Sequence, residues 1–330
     1  MANLSNGLSP RAANLGSVVM LISRRGAGIW TNLPSLSFQF LRLAPPSTSM
    51  LWIDFGLRYE MLNHFRIQPS SFPAQSCLIG LAEMVKSEGR VDSSKVIPFD
   101  TTLSWPLYTS APRQSGSAKS LDVHSPYRRL ISDLAALGNR IYMVPFQLPE
   151  LAADAPLAAL SVEELNFVVE SMITALAPTY TVFTCEGQPE AHLFSDKLAD
   201  DNILQWCLNR ADTIACMVRY DSEKRFDDGI AIPSLLSRSP TWRNRLRLIL
   251  TRASHAPRVP SQFTNTVLGH LPFADFVGES VSNGRVPLVD LLCRQSFHSL
   301  SAIELEYLDC LTSITHRLFP EDMAEGRKAE

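Results

Sequence analysis

The sequence predicts one α/β domain in which a mostly parallel sheet lies between two layers of helices. Short apolar runs alternate along the chain with stretches in which apolar residues recur at helical spacing. This alternation is typical of βαβ units, whose strands are buried on both faces of the sheet. The chain has 330 residues, 45% of them hydrophobic, which is enough apolar material for the core of such a domain.

The predicted strands are short apolar runs in which β-branched residues are frequent. The first lies at residues 18–22 and is followed by a glycine loop. Further strands are predicted at residues 50–55, 140–146, 179–185, 212–220, 245–252 and 270–276, the last as a strand or a turn. Residues 96–110 are predicted as an edge strand or a loop.

The predicted helices lie between these strands, and several carry signals at their ends. Ser161 and Glu164 form a capping box at the start of the clearest helix. Ser125 is predicted as an N-cap, and Gly138 follows the end of the same helix. The other helices are predicted at residues 33–43, 60–67, 77–89, 200–211, 263–269 and 299–319, with one at 227–238 that Pro233 breaks.

The chain is predicted to have three parts. Residues 1–16 form a flexible tail, residues 17–298 form the α/β domain with a flexible loop at about 112–120, and residues 299–330 form a C-terminal amphipathic helix and tail. Because that helix is acidic and has few lysines, we expect it to pack on the domain or on a partner rather than on lipid. Its apolar side is predicted to consist of Leu300, Ile303, Tyr307, Leu308, Leu311, Ile314 and Leu318.

Composition and charge exclude several classes of protein. The net charge is −3 and the isoelectric point is about 6.2, so the chain has no overall positive field for nucleic acid. No apolar run is long enough to span a membrane. The six cysteines form no CxxC pair, which favours a reducing cytoplasm over a disulfide scaffold. The seven histidines do not cluster, so no metal site is predicted.

A glycine loop follows the first strand, where Arg24 and Arg25 precede Gly26 and Gly28 and a helix then begins. This order is typical of a phosphate-binding site, in which backbone N–H groups at a helix N-terminus face the phosphates. The same order also fits a tight strand–helix turn that binds nothing, because such turns need glycine for steric reasons.

The order of the downstream segments resembles the MinD/ParA superfamily of P-loop ATPases. Residues 51–67, 210–236, 245–252 and 269–291 are similar to successive strands and turns of that family, and the resemblance covers roughly residues 17–295. Residues 140–172 resemble its pilus-assembly and polar-localisation branch, the CpaE and TadZ proteins, and cellulose-synthase accessory proteins of the BcsQ type share this ancestry. The resemblance implies a three-layer αβα P-loop fold of the deviant Walker A, SIMIBI class.

The resemblance also implies that residues handling phosphate have been replaced. Laid on this sequence, the family's glycine loop places Arg24 at the lysine that crosses the dimer interface and Arg25 at the first glycine. Gly26 and Gly28 match the two later glycines, and Ile29 takes the position of the phosphate-binding lysine. Losing such a charge-assisted contact weakens nucleotide binding by roughly 1.5–3 kcal/mol.

The Mg²⁺-binding and catalytic positions depart from the family as well. Trp30 stands where the Mg²⁺-binding hydroxyl is expected, and Thr31 follows it. Asp54 remains at the first acidic position, where it fits a turn cap equally well. The full set of remnant acidic and adenine-contacting positions is Asp54, Glu186, Thr251 and Arg252.

Together, the resemblance and these replacements imply a non-hydrolysing pseudo-ATPase without catalytic residues, metal or cofactor, with weak ATP binding left open. We expect a homodimer, or a heterodimer with an active paralogue, that localises or assembles a bacterial envelope machine such as a pilus, secretion or cellulose-synthesis apparatus. Its expected place is the cytoplasm, with recruitment to the inner face of the cell membrane or to the pole.

Two alternatives stay open at this point. The first is a divergent but active ATPase of the same family, in which Thr31 and Glu186 replace the lost ligands. The second is an unrelated Rossmann-type enzyme, although the third glycine of the dinucleotide-binding fingerprint is absent.

Overall fold

The computed structural model of the chain describes residues 16–24, 26–55, 61, 76–98, 133, 136–145, 160–187, 203–220, 223–253, 259–272, 274–282, 286–292 and 300–320. Several expected features lie outside these residues: the tail at 1–15, most of the helix at 60–67, the loop at 112–120, the Ser125 cap and Arg25.

Eight strands form one sheet with the order β3-β4-β2-β5-β1-β6-β7-β8. Seven of them run parallel, whereas β3 pairs antiparallel with β4 at one edge. The α/β fold class with a mostly parallel sheet is therefore confirmed. The strands are β1 Ser17–Arg24, β2 Ser49–Asp54, β3 Ile97–Pro98, β4 Arg140–Pro145, β5 Tyr180–Gly187, β6 Thr213–Arg219, β7 Leu246–Ala253 and β8 Val267–Pro272.

The described helices alternate with these strands. They are α1 Ile29–Leu43, α2 Leu78–Glu88, α3 Val162–Leu176, α4 Ile203–Arg210, α5 Glu223–Leu236, α6 Pro240–Arg243, α7 Asp275–Ser282, α8 Pro287–Leu292 and α9 Ala302–Leu318, with 3₁₀ turns at Ser93–Lys95 and Ser261–Thr266. The capping box predicted for α3 is present: the Ser161 hydroxyl accepts from the Glu164 N–H, and the Glu164 carboxylate accepts from the Ser161 N–H.

Helices cover both faces of the sheet, as two close contacts demonstrate. A Cβ on Gly229 of α5 would stand 2.9 Å from a methyl of Val218 in β6. A Cβ on Gly269 of β8 would stand 2.7 Å from Ile314 of α9. Gly269 is paired with Ile249 of β7, and Ile249 is paired with Met217 of β6, so these residues face the same side of the sheet. Met217 is the neighbour of Val218 in β6. Because successive residues of a strand face opposite sides, α5 and α9 lie on opposite faces.

Helix α1 is buried on nearly all sides because α8 and α9 cover the surface that it turns away from the sheet. Its polar residues are used to join these helices. The Gln39 amide donates to the Thr312 hydroxyl of α9 over 2.8 Å, and the Leu288 N–H of α8 donates to the Ser35 hydroxyl over 3.3 Å. The helix that follows the glycine loop is therefore an internal element of the domain.

Three local predictions are wrong. Pro233 does not break its helix: α5 runs through it to Leu236, and buried Ile232 and Leu236 hold the last turn against the domain. Residues 263–269 do not form a helix, because a 3₁₀ turn ends at Thr266 and β8 begins at Val267. The last strand, β8, therefore begins three residues earlier than predicted, at Val267 and not at residue 270.

Helix α9 packs on the domain rather than projecting from it. Tyr307, Leu311, Ile314 and Leu318 are buried, whereas Ile303, predicted for the same apolar side, is 38% exposed. Ile303 lies in the first turn of α9, close to the N-cap Ser301. In that turn the buried side chain is Glu304, which completes a capping box with Ser301. Among the described residues, no helix combines the length and hydropathy needed to cross a membrane.

Candidate functional site

The glycine loop joins β1 to α1 at the carboxyl edge of the parallel sheet. Gly26 and Gly28 have φ angles of 83° and 89°, a region that side chains with a Cβ rarely enter. The Ala27 N–H donates to the Arg24 carbonyl over 3.2 Å and closes the turn, and Gly28 caps α1, which begins at Ile29. Both glycines are therefore required by backbone geometry, whatever the loop binds.

The carboxylate of Glu186 is hydrogen-bonded to this loop. Strand β5 pairs with β1 in a register that sets Glu186 opposite Ser23, one residue before the strand ends at Arg24. From there, Glu186 Oε1 accepts a hydrogen bond of 2.8 Å from the Gly26 N–H. Glu186 is only 9% exposed. An N–H group that faces a phosphate in a phosphate-binding loop faces the chain's own anion here.

Two further side chains hold the loop from within. The Thr251 hydroxyl, at the end of β7, donates to the Ala27 carbonyl over 2.8 Å and is buried. The Asn32 amide of α1 donates to the Gly28 carbonyl over 2.8 Å. Thr251 takes the adenine-contacting position of the resembled family, and its hydroxyl holds the glycine loop to β7. Its neighbour Arg252 is exposed and has a φ of 57°.

Ile29 and Trp30 belong to the hydrophobic core. Their exposed fractions are 0% and 2%. The Trp30 ring meets the Trp52 ring of β2 edge to face at 6.2 Å between centroids. Thr31 is half-buried and lies beside Gly28. The positions that carry the phosphate lysine and the Mg²⁺ hydroxyl in the resembled family thus serve packing in this chain.

Asp54 is buried at the end of β2 and bonded on both carboxylate oxygens. It accepts from the Thr184 hydroxyl over 3.0 Å and from the Met61 N–H over 3.4 Å. The second bond joins Asp54 to Met61, which follows β2 in the sequence. This is the turn-capping role predicted from the sequence as one possibility for Asp54. Burial raises the pKa of the neighbouring Cys185 thiol to about 12, and the carboxylates of Asp54 and Glu186 add to the rise.

Two charged residues near the loop were not found from the sequence. Asp228 of α5 lies 3.8 Å from the Arg24 guanidinium, and both side chains are partly exposed. Arg219, at the end of β6, has an Nη1 atom 3.9 Å from the place that a Cβ on Gly26 would take. No motif marks either residue, because only the sheet order brings β6 and α5 to the loop. Arg25 lies outside the described residues.

These residues do not fit Mg²⁺-ATP as P-loop proteins hold it. That chemistry needs free loop N–H groups, a lysine at the helix start and a hydroxyl for Mg²⁺. Here the Gly26 N–H is bonded to Glu186, and buried Ile29 and Trp30 occupy the other two positions. The sheet also differs from the dinucleotide-binding order, in which strand 1 pairs with strand 2, because β5 separates β1 from β2.

Comparison with solved structures identifies the fold. The chain is similar to a ParA family ATPase from Chlorobium tepidum TLS, at 14% identity and a TM-score of 0.53 over 92% of this chain and 98% of that one. It is also similar to the MinC:MinD cell division protein complex of Aquifex aeolicus, at 13% identity and a TM-score of 0.54 over 92% and 95%. No family model and no curated protein matches the sequence. The chain therefore has a MinD/ParA-like P-loop fold.

The left-handed conformation of Gly28 gives a test of the loop geometry. We expect Gly28→Ala to lower the free energy of unfolding by about 1–2 kcal/mol, the usual cost of a left-handed residue with a Cβ. The added Cβ would also meet the Asn32 amide at 3.1 Å. Urea denaturation followed by circular dichroism measures the change.

Gly278→Ala is the matched control for this substitution. Gly278 lies in α7 and has open space around its Cβ position. There alanine should leave stability unchanged or raise it by up to about 1 kcal/mol, because alanine favours helix. Equal effects of the two substitutions would contradict the strained loop.

Proposed function

We propose that this chain, which has the MinD/ParA-like P-loop fold, is a pseudo-ATPase that dimerises without hydrolysing ATP. In this proposal it localises or assembles a bacterial envelope machine, a pilus or secretion apparatus first and a cellulose-synthesis apparatus second. It works in the cytoplasm, at the inner face of the cell membrane or at the pole. The hydrogen bond between the Gly26 N–H and the Glu186 carboxylate carries the first part of the proposal.

An internal carboxylate at the glycine loop opposes nucleotide binding in two ways. It uses a backbone donor that phosphate would need, and its negative charge repels the phosphates at short range. A triphosphate would have to displace Glu186 into solvent before making the same hydrogen bond. Because Ile29 supplies no compensating positive charge, the exchange gains little, which supports a loop that no longer responds to ATP.

The core positions of Ile29 and Trp30 support the same reading. A lysine in place of Ile29 would lie at a fully buried position, where an unpaired charge is costly. The positions that handle phosphate in the resembled family are here part of the packing between α1 and the sheet. Loss of hydrolysis is then built into the core and does not depend on one missing group.

The interaction part of the proposal starts from Arg24. It takes the position of the lysine that crosses the dimer interface in the resembled family, and its side chain is 37% exposed beside Asp228. In ATP-driven relatives the nucleotide closes the dimer. We propose that this chain forms its dimer without nucleotide, with itself or with an active paralogue, and that Arg24 contributes to the contact. One similar solved structure is of MinD in complex with MinC, which is consistent with a partner-binding role for this fold.

Nucleotide binding tests the pseudo-ATPase proposal directly. In calorimetric titration with Mg²⁺-ATP, we expect no saturable heat from the wild-type chain, and we expect no phosphate release above the rate without protein. Saturable binding with turnover would overturn the proposal in favour of the divergent ATPase, with Thr31 and Glu186 as its ligands.

Removing the Glu186 carboxylate should leave the Gly26 N–H available to a phosphate. In Glu186→Ala the Gly26 N–H loses its partner while Arg219 stays nearby, so we expect weak ATP binding to appear, without hydrolysis, in the same titration. Glu163→Ala, in the first turn of α3, removes an exposed carboxylate of the same charge away from the loop and should gain nothing. Identical titrations for the two variants would show that Glu186 does not exclude nucleotide.

The dimer is tested by the charge at Arg24. We expect light scattering to give a dimer for the wild-type chain without nucleotide, and Arg24→Glu to shift it toward monomer by at least about tenfold in Kd, since like or uncompensated charges at an interface cost over 1 kcal/mol. Arg42→Glu, at the exposed end of α1, makes the same charge change and should leave the dimer intact. A wild-type monomer at all concentrations would contradict the proposal.

A further inference from the structure

We propose that His270, Glu306 and Cys310 form a Zn²⁺-binding site where α9 covers the edge strand β8. The three side chains offer an imidazole nitrogen, a carboxylate oxygen and a thiol sulfur, all within 4.8 Å of one another. The site lies apart from the glycine loop and does not depend on the proposed function.

The backbone places these residues together for reasons of packing. Glu306 and Cys310 are four residues apart in α9 and so lie one turn apart on the same helix face. His270 follows Gly269 in β8, and the missing side chain of Gly269 is what allows α9 to approach this strand closely. The Arg317 guanidinium donates to the Leu268 carbonyl over 2.8 Å and so holds α9 to β8 about two turns beyond Cys310.

The distances are close to those of a metal site. His270 Nε2 lies 3.5 Å from Glu306 Oε1 and 4.0 Å from Cys310 Sγ. A tetrahedral zinc ion with bonds of about 2.0–2.3 Å holds neighbouring donor atoms about 3.3–3.6 Å apart. The Glu306 side chain is 51% exposed and the His270 side chain 29%, so both have room to rotate toward a shared ion.

The chemistry of the three donors selects the ion. Thiolate and imidazole favour Zn²⁺ and related transition metals over Mg²⁺ and Ca²⁺, which prefer sites made of oxygen alone. Three protein donors leave a fourth position open toward solvent, as in zinc sites that keep a bound water. A bound ion would tie the C-terminal helix to the edge strand and so stabilise the end of the sheet.

Cobalt is the first probe, because Co²⁺ bound to a thiolate gives a charge-transfer absorption that Zn²⁺ abolishes on displacement. We expect the reduced, full-length chain to develop this band with one equivalent of Co²⁺. Cys310→Ser should abolish the band, and Glu306→Gln should weaken binding at least about tenfold, since even residues that only support a metal ligand cost this much. Asp309→Asn, which changes the residue next to Cys310, is the matched control and should keep the band.

Thermal unfolding separates a built site from surface binding. We expect Zn²⁺ to raise the Tm of the wild-type chain and of Asp309→Asn, and to raise that of Glu306→Gln by less, since its exposed side chain can change without loss of fold but binds the ion more weakly. The absence of a cobalt band in the wild-type chain would overturn the proposal. An equal rise in Tm for wild type and Glu306→Gln would do so too.

Discussion

The parallel pairing of β1 with β5 is the constraint on which the site depends. Its register puts Glu186 opposite Ser23, so the side chain reaches the Gly26 N–H of the glycine loop. Thr251 from β7 reaches the Ala27 carbonyl through the same sheet edge. With Asn32 on the Gly28 carbonyl, three successive loop residues are bonded by the chain itself. The loop therefore keeps its shape without a ligand.

This internal bonding gives the loop a different physical role from that of a phosphate loop. In a nucleotide-responsive protein, loop N–H groups stay available for the ligand, and binding energy is converted into a change of shape. Here the donor at Gly26 is already used, and the carboxylate that uses it is buried with the end of β5. A site bonded in this way has little left to gain from a ligand, which supports the proposed dimer that forms without nucleotide.

The sequence predicted the features that depend on local chemistry. Strands buried on both faces read as apolar runs, the capping box at Ser161 has a fixed spacing, and the glycines mark positive φ angles. Features that depend on tertiary packing were missed: Pro233 inside a helix, the start of β8 at Val267, and the exposure of Ile303. The two contacts on which the proposals rest, Glu186 with Gly26 and His270 with Cys310, join residues 160 and 40 positions apart, and no local pattern encodes them.

The burial of Ile29 and Trp30 limits which side chains these two positions can accept. Here the two side chains pack in the core, with Trp30 against Trp52 of the neighbouring strand. Placing a lysine and a hydroxyl at these positions would remove packed apolar volume and bury polar groups, each at a cost of several kcal/mol. At these two positions, the stability of the fold and the ligand set of a phosphate-binding loop therefore oppose each other.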